Sequence, residues 1–276
     1  MHGLDMPDID TWSPRVTVVL GQNPGPFTGP GTNTYLVGTA RRPLLLDTGQ
    51  GVAAYPPLLE RALAERGASG VEAIVLTHAH PDHVGGVAGV RETVGPVSVL
   101  KRPLPGRDPA LAIAAIDDGA VVTTEGATLR AVFTPGHARD HLCFYLEEER
   151  ALFTGDVVLG AGTTVIGQDG DLADYLASLR RLQTLDVAVI YPAHGPAIRK
   201  PAEKLAQYVA HRLLREVQIL EALAVGVHQV PALVARLYSD VPAFLHAAAA
   251  MSVNAHLRKL AAEGRVRAEG ERWHLC

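Results

Sequence analysis

Thr77-His78-Ala79-His80-Pro81-Asp82-His83 places four side chains with nitrogen or oxygen donors within six residues. The stretch directly follows Val71 to Leu76, which is apolar without a break after Glu72 and so predicts a strand covered on both faces. A glycine-rich helix start comes after it. Ligand-type residues therefore stand where a strand ends and a helix begins. His78 and His80, two apart on an extended turn, can approach one ion, while Asp82 and His83 can turn toward a second. A solitary histidine is usually a surface or core side chain. Groups this dense are costly to bury unless a shared ion compensates them.

Outward from this stretch, three further ligand types each follow a strand-like segment. They are His137 in Pro135-Gly136-His137, Asp156 in Thr154-Gly155-Asp156, and His194 in Pro192-Ala193-His194-Gly195. Such placement puts dispersed ligands on loops at one edge of a layered sheet. Imidazole and carboxylate suit zinc, and a carboxylate can bridge two ions. His78, His80 and His137 are assigned to a first ion, Asp82, His83 and His194 to a second, and Asp156 to the bridge. Two ions roughly 3.5 to 4 Å apart deprotonate water near neutral pH and stabilise a developing oxyanion. Asp82 and Asp156 are accordingly the catalytic carboxylates, and the reading is a dinuclear hydrolase that attacks with metal-bound hydroxide. Asp47, after an apolar strand and before Thr48-Gly49, either orients a ligand histidine or caps the turn.

The 276 residues are 47% hydrophobic and 20% charged, which supports a large core plus a small appendage and excludes a disordered chain. Aromatics make up only 5%, so Leu, Val and Ala supply most of the core. A net charge of -4 leaves no global basic field for nucleic acid. Cys143 and Cys276 give no disulfide scaffold. The start, Met1 to Asp10, does not read as a secretory signal, and no run reaches the roughly 20 apolar residues of a membrane span. A cytoplasmic protein without membrane contact is the expectation.

Strands are predicted at Val16 to Leu20, Thr34 to Val37, Pro43 to Leu46, Val97 to Leu100, Leu129 to Phe133, Leu142 to Leu146, Ala151 to Phe153 and Val187 to Ile190. Helices are predicted at Pro56 to Ala68 and Asp171 to Leu182. After Pro201 the pattern becomes almost wholly helical. Leu205, Tyr208, Val209, Leu213, Val217 and Leu220 form one apolar stripe. Runs at Val230 to Tyr238 and Met251 to Glu263 precede a hairpin at Arg265 to Leu275, the outline of a winged helix. The division is a catalytic domain over 12–200 and a helical winged-helix-like domain over 201–276.

The seven-residue stretch, with His137, Asp156 and His194 behind it, resembles the metallo-β-lactamase superfamily. That resemblance implies an αββα sandwich of mixed sheets, an α/β fold, over residues 12–200. Zinc β-lactamases commonly carry cysteine where Asp156 stands, and oxygen-reducing relatives carry glutamate where His80 stands, so neither chemistry is favoured. Asn23-Pro24-Gly25-Pro26, Gly31-Thr32-Asn33-Thr34-Tyr35-Leu36-Val37-Gly38, Asp140-His141 and Gly162-Thr163-Thr164 resemble the mitochondrial β-lactamase-like endoribonuclease group and its bacterial relatives. With aspartate at position 156, the metal-ligand set resembles that of glyoxalase II. Asn33, Thr34, Tyr35, Thr163 and Thr164 become candidates for facing a substrate, and Asp140 and His141 for flanking the metal cleft, with loop bonding the alternative for each.

Three functions follow from these readings. The first is cleavage of single-stranded RNA, guided by a tail whose Arg258, Lys259, Arg265, Arg267 and Arg272 form a local basic surface. The second is hydrolysis of a thioester or acyl ester, as in glyoxalase II. The third is a metal-stabilised binding or assembly protein. The tail can equally cover the catalytic domain or form a homodimer. Zinc leads as the divalent ion, and manganese and iron suit the same donors.

Overall fold

Valine- and leucine-rich runs broken by glycine and proline turns form two sheets in the first unit of the computed structural model, which describes residues 4–106, 108 and 112–276. Among the described residues the first sheet holds seven strands in chain order. They are β1 (Ile9–Ser13), β2 (Val16–Leu20), β3 (Asn33–Val37), β4 (Leu44–Leu46), β5 (Ala73–Val75), β6 (Ser98–Lys101) and β7 (Ile113–Ala115). Pairing is antiparallel from β1 to β4 and parallel from β4 to β7. Parallel neighbours need crossovers: α1 (Tyr55–Glu65) connects β4 to β5, and α2 (Pro81–Val84) with α3 (Val87–Val94) connects β5 to β6. The second sheet holds β8 (Val121–Thr124), β9 (Ala127–Phe133), β10 (Leu142–Leu146), β11 (Ala151–Gly155) and β12 (Val189–Pro192). Only β11 and β12 run parallel in it.

Side-chain alternation builds the layers. Val18, Tyr35, Leu46 and Val75 of the first sheet meet Leu129, Phe144, Phe153 and Tyr191 of the second in one apolar cluster. Tyr35, Phe153, Tyr191 and Trp12 meet there edge-on or tilted, with ring centres 4.9–6.2 Å apart. On the opposite face of the first sheet, Val19, Leu36, Leu45 and Ile74 pack against Tyr55, Leu59 and Leu63 of α1 and against Val87 and Val90 of α3. The unit is therefore helix, sheet, sheet. β1, β7 and β8 were not among the sequence expectations; each is short, half exposed and too weakly alternating to stand out.

Contacts divide the chain into Met1–Thr134, Asp140–Gly162 and Asp186–Ala202 on one side, and Pro135–Arg139, Thr163–Leu185 and Glu203–Cys276 on the other. Two segments upstream of residue 200 thus group with the tail. The second unit contains α4 (Leu172–Leu182), α5 (Pro201–Ala224) from Glu203 onward, α6 (Val230–Leu237), α7 (His246–Ala262) and the hairpin β13 (Val266–Glu269) with β14 (Arg272–Leu275). Asp171 caps α4 by accepting from Ala173 N and Asp174 N at 2.7 and 2.9 Å. Ile219, Leu223, Leu233, Val253, Leu257 and Val266 form its core. The α5 stripe is rotated from the expected one: Leu205, Tyr208, Arg212, Glu216 and Ile219 are buried, while Leu213 and Val217 are exposed. Neighbouring stripes share the helical period, and the inward Arg212 and Glu216 disguised the true phase. No helix among the described residues is long and apolar enough to cross a membrane.

One close approach ties the fold to the site. A Cβ on Gly86, between α2 and α3, would stand 1.9 Å from Thr48 O, so no side chain fits where the loops after β4 and β5 meet. Gly86→Ala is expected to lower stability by at least about 2 kcal/mol, because the two backbones must separate. A denaturant midpoint equal to that of the unmodified protein would contradict this contact.

Candidate metal centre

Asp47 follows β4, the Thr77 to His83 stretch follows β5, Asp156 follows β11 and His194 follows β12. All four strands lie in parallel pairs, so these residues share the carboxyl-terminal edge where α/β sheets place their ligands. Pro81 opens α2 with its fixed φ, leaving His80 extended and bringing Asp82 and His83 round on the first turn.

Asp47 organises the histidines. Its Oδ1 accepts from Thr77 N at 2.9 Å and its Oδ2 from Thr77 Oγ1 at 2.9 Å, while His83 Nδ1 lies 2.8 Å from Oδ2. A carboxylate only accepts, so His83 donates through Nδ1 and turns Nε2 toward the site. The Thr77 hydroxyl gives its proton to Asp47 and accepts from His78 Nδ1 at 3.0 Å, which sets His78 the same way. His78 Nε2 then lies 2.9 Å from His80 Nδ1. The ligand atoms of His78, His80 and Asp156 fall within 4.8 Å of one another, as do those of Asp82, His83 and His194.

These distances test whether divalent ions fit. His194 Nε2 is 3.3 Å from Asp82 Oδ2 and 3.2 Å from Asp156 Oδ1, and His83 Nε2 is 3.5 Å from each carboxylate. A charge-assisted N–H···O bond would be about 2.7–2.9 Å. Donors placed about 2.0–2.1 Å from a tetrahedral ion stand roughly 3.3–3.4 Å apart, the spacing seen here. His83 Nε2 is buried and makes no hydrogen bond, which is costly for an imidazole that bonds nothing. The donor set fits divalent cations.

Charge agrees with that arrangement. Burial pushes the Asp82 carboxyl up, but His83 and His194 outweigh it and hold it at about 2. Burial likewise raises Asp156, and His194 and His83 bring it well below the usual carboxylate range. Burial disfavours protonated His194, yet Asp156 and Asp82 carry it up to about 9. Burial is the largest single influence on His83 and disfavours its protonated form, but Asp82, Asp47 and Asp156 together outweigh it and raise the imidazole well above its usual value. Without a metal, protons do the neutralising.

His141 is fully buried and accepts from Asp156 N through Nε2 at 3.2 Å, while Nδ1 faces Thr134 Oγ1 at 3.0 Å. Gly155 has φ +47°, and a Cβ there would stand 2.5 Å from that Nε2, so glycine lets His141 reach the Asp156 backbone. Asp140 is fully buried with its Oδ2 2.6 Å from Lys101 Nζ; Lys101 also meets Asp108 Oδ1 at 2.6 Å.

Three proposed substrate contacts turn inward. Asn33 Nδ2 donates to Pro192 O and Gly195 O, both at 2.8 Å, and so straddles His194. Thr34 Oγ1 bonds Val19 O and Tyr55 OH, and Tyr35 OH donates to Pro192 O at 2.6 Å. All three are buried, and these bonds tie them into the frame of the sheet edge. Thr163 is exposed, whereas Thr164 is buried.

His137 belongs to the second unit. There its Nδ1 lies 2.9 Å from Val165 O, an acceptor, so Nδ1 carries the proton of the neutral ring. Sequence reading gave no role to Thr77 or Lys101. Thr77 was visible inside the ligand stretch, and Lys101 as a lone cation ending an apolar strand.

Residues 27–194 match the family model described as Metallo-beta-lactamase superfamily, and residues 230–273 match Beta-lactamase associated winged helix domain. A Beta-lactamase-like protein 2 homolog of Caenorhabditis elegans is 41% identical over 264 residues, covering 93% of this chain and 87% of that protein. An atrochrysone carboxyl ACP thioesterase of Aspergillus fumigatus is 45% identical over 224 residues, covering 79% and 68%. Among solved structures, a metallo-beta-lactamase family protein of Thermus thermophilus superposes with a TM-score of 0.81 at 26% identity, covering 96% of this chain and all of that one.

Two outcomes follow for the site. Asp47→Asn keeps a residue type that tolerates the φ of +58° but cannot accept all three bonds, so divalent-metal affinity should fall about 10–100-fold in a chelator competition. His194, raised from 6.5 to about 9, is protonated at neutral pH in the metal-free protein. That raised pKa stabilises the metal-free fold below pH 6.5, a contribution lost as pH climbs through about 9. Metal loading at pH 7.5 should therefore release protons into a weakly buffered indicator; loading without acid release would contradict this charge state.

Proposed function

Because the chain belongs to the metallo-beta-lactamase superfamily, we propose that it is a two-metal hydrolase acting on a thioester or a closely related acyl ester. The observation that carries the hydrolase reading is the set of 3.2–3.5 Å separations among His83, His194, Asp82 and Asp156. We assign His78, His80 and His137 to one ion, Asp82, His83 and His194 to the other, and Asp156 to the bridge. When bound, divalent ions supply Lewis acidity and lower the pKa of water to near neutral.

The chain's own groups do the remaining work. Asp82 is the more open of the two carboxylates, with its side chain 21% exposed against 14% for Asp156. It accepts the proton lost as water attacks the acyl carbon and returns it to the departing thiolate, leaving a carboxylic acid and a thiol. Asp156 stays ionised between His83 and His194, held by the backbone bond to His141. Asn33 keeps the His194 loop in place from both sides.

The choice of thioester rests on the similarity to fungal ACP thioesterases at 45–46% identity. Charge pairing supports it. Lys259 meets Glu216 and Glu263, Arg265 meets Glu263, and Arg267 meets Glu269, so most of the anticipated basic surface is compensated within the tail. The winged-helix match keeps cleavage of single-stranded RNA as the second reading.

Metal-reconstituted protein and Asp82→Asn should be assayed side by side on S-acyl-glutathione, an acyl-pantetheine thioester and single-stranded RNA. Thioester turnover should require metal and fall at least about 100-fold in the variant. RNA cleavage with no thioester turnover would reverse the ranking.

A further inference from the structure

Two arginines of the C-terminal helices reach main-chain carbonyls of one short loop. Arg212 of α5 is 2% exposed; its Nη2 donates to Thr164 O, and its guanidinium carbon stands 5.2 Å from the Tyr175 ring centre. Arg258 of α7 donates from Nη2 to Gly167 O at 3.1 Å. The two acceptors flank Val165, and Val165 O is the atom 2.9 Å from His137 Nδ1. Burying a guanidinium is costly unless its donors are matched, and a charge-assisted bond is roughly twice as strong as a neutral one. A buried arginine on this carbonyl therefore immobilises the loop that His137 leans on.

The backbone beside His137 is gripped by the same packed group. Gly136 O accepts from Asp171 N at 2.8 Å, and a Cβ on Gly136 would come within 2.3 Å of Tyr175 Cα. Tyr175 is fully buried and carries the ring beside Arg212. Main chain and imidazole of His137 are thus both referred to α4, α5 and α7.

We propose that Arg212, assisted by Arg258, is a positioning residue for a metal ligand. By holding the Thr164 to Gly167 loop it keeps Val165 O as the acceptor for His137 Nδ1–H. It thereby fixes the tautomer whose Nε2 lone pair takes the cation. The inference rests on the reading of His137 as a ligand.

The test uses the full chain stripped of metal, titrated with zinc against a chromophoric chelator and, separately, with cobalt(II), whose visible bands report coordination. His137→Ala should lose one tight zinc equivalent. Arg212→Met should weaken that same equivalent about tenfold and shift its cobalt band, leaving the other equivalent as in the unmodified protein. Arg212→Lys, which keeps a charged donor, should recover part of the loss. Arg258→Ala should show a smaller loss in the same direction, and being at the surface it decides the matter if Arg212→Met does not fold. Loss in His137→Ala with full affinity in both arginine variants would overturn the positioning role alone. Two full equivalents in His137→Ala would overturn the ligand assignment and this inference together. Equal weakening of both equivalents would mark general disorder and overturn the inference as well.

Discussion

Imidazole nitrogens and carboxylate oxygens held 3.2–3.5 Å apart at a buried sheet edge are too distant to hydrogen bond well and too close to ignore one another. The rest of the first unit keeps that spacing in being. Asp47 and Thr77 turn two rings, His141 holds the Asp156 backbone, and Asn33 holds the carbonyls on either side of His194. None of these atoms would stay in place on loops alone. They do so because each loop leaves a strand whose inward residues are locked in the core between the sheets.

Charge balance explains why the supporting groups are themselves ionisable. Asp47 stabilises a histidine that also faces two carboxylates. Lys101, fully buried, answers Asp140 and Asp108 one strand away from the ligand turn. Buried charges of this kind contribute little net stability. Their effect is geometric, fixing which oxygen points where beside a group that must not drift.

Much of this was legible in the amino-acid order, for a physical reason. Ligand-type residues at the ends of apolar runs are rare, and the stretch from Thr77 to His83, Asp156 and His194 all stand in that position. Asn33, Thr34 and Tyr35 were harder. They are polar and sit in a motif, but their partners include Pro192 and Gly195, some 160 residues away, and local sequence gives no sign of that. Asp140 could not be separated from a cleft residue without knowing that Lys101 lies against it. In α5 the period was readable and the phase was not, because two charged residues occupy its inward face. The helix α7 begins at His246, five residues before the sequence suggested, since its opening alanines carry no apolar rhythm.

The interleaved membership of the second unit bears on how such a protein can be rebuilt or recombined. Its segments at Pro135–Arg139 and Thr163–Leu185 are threaded between stretches of the first unit, and they find their packing partners in residues after Glu203. A foreign tail spliced on near residue 200 would arrive without the surfaces those inserts were shaped to meet. Exchange between relatives would have to carry inserts and tail together, as one packed set drawn from separated stretches of the chain.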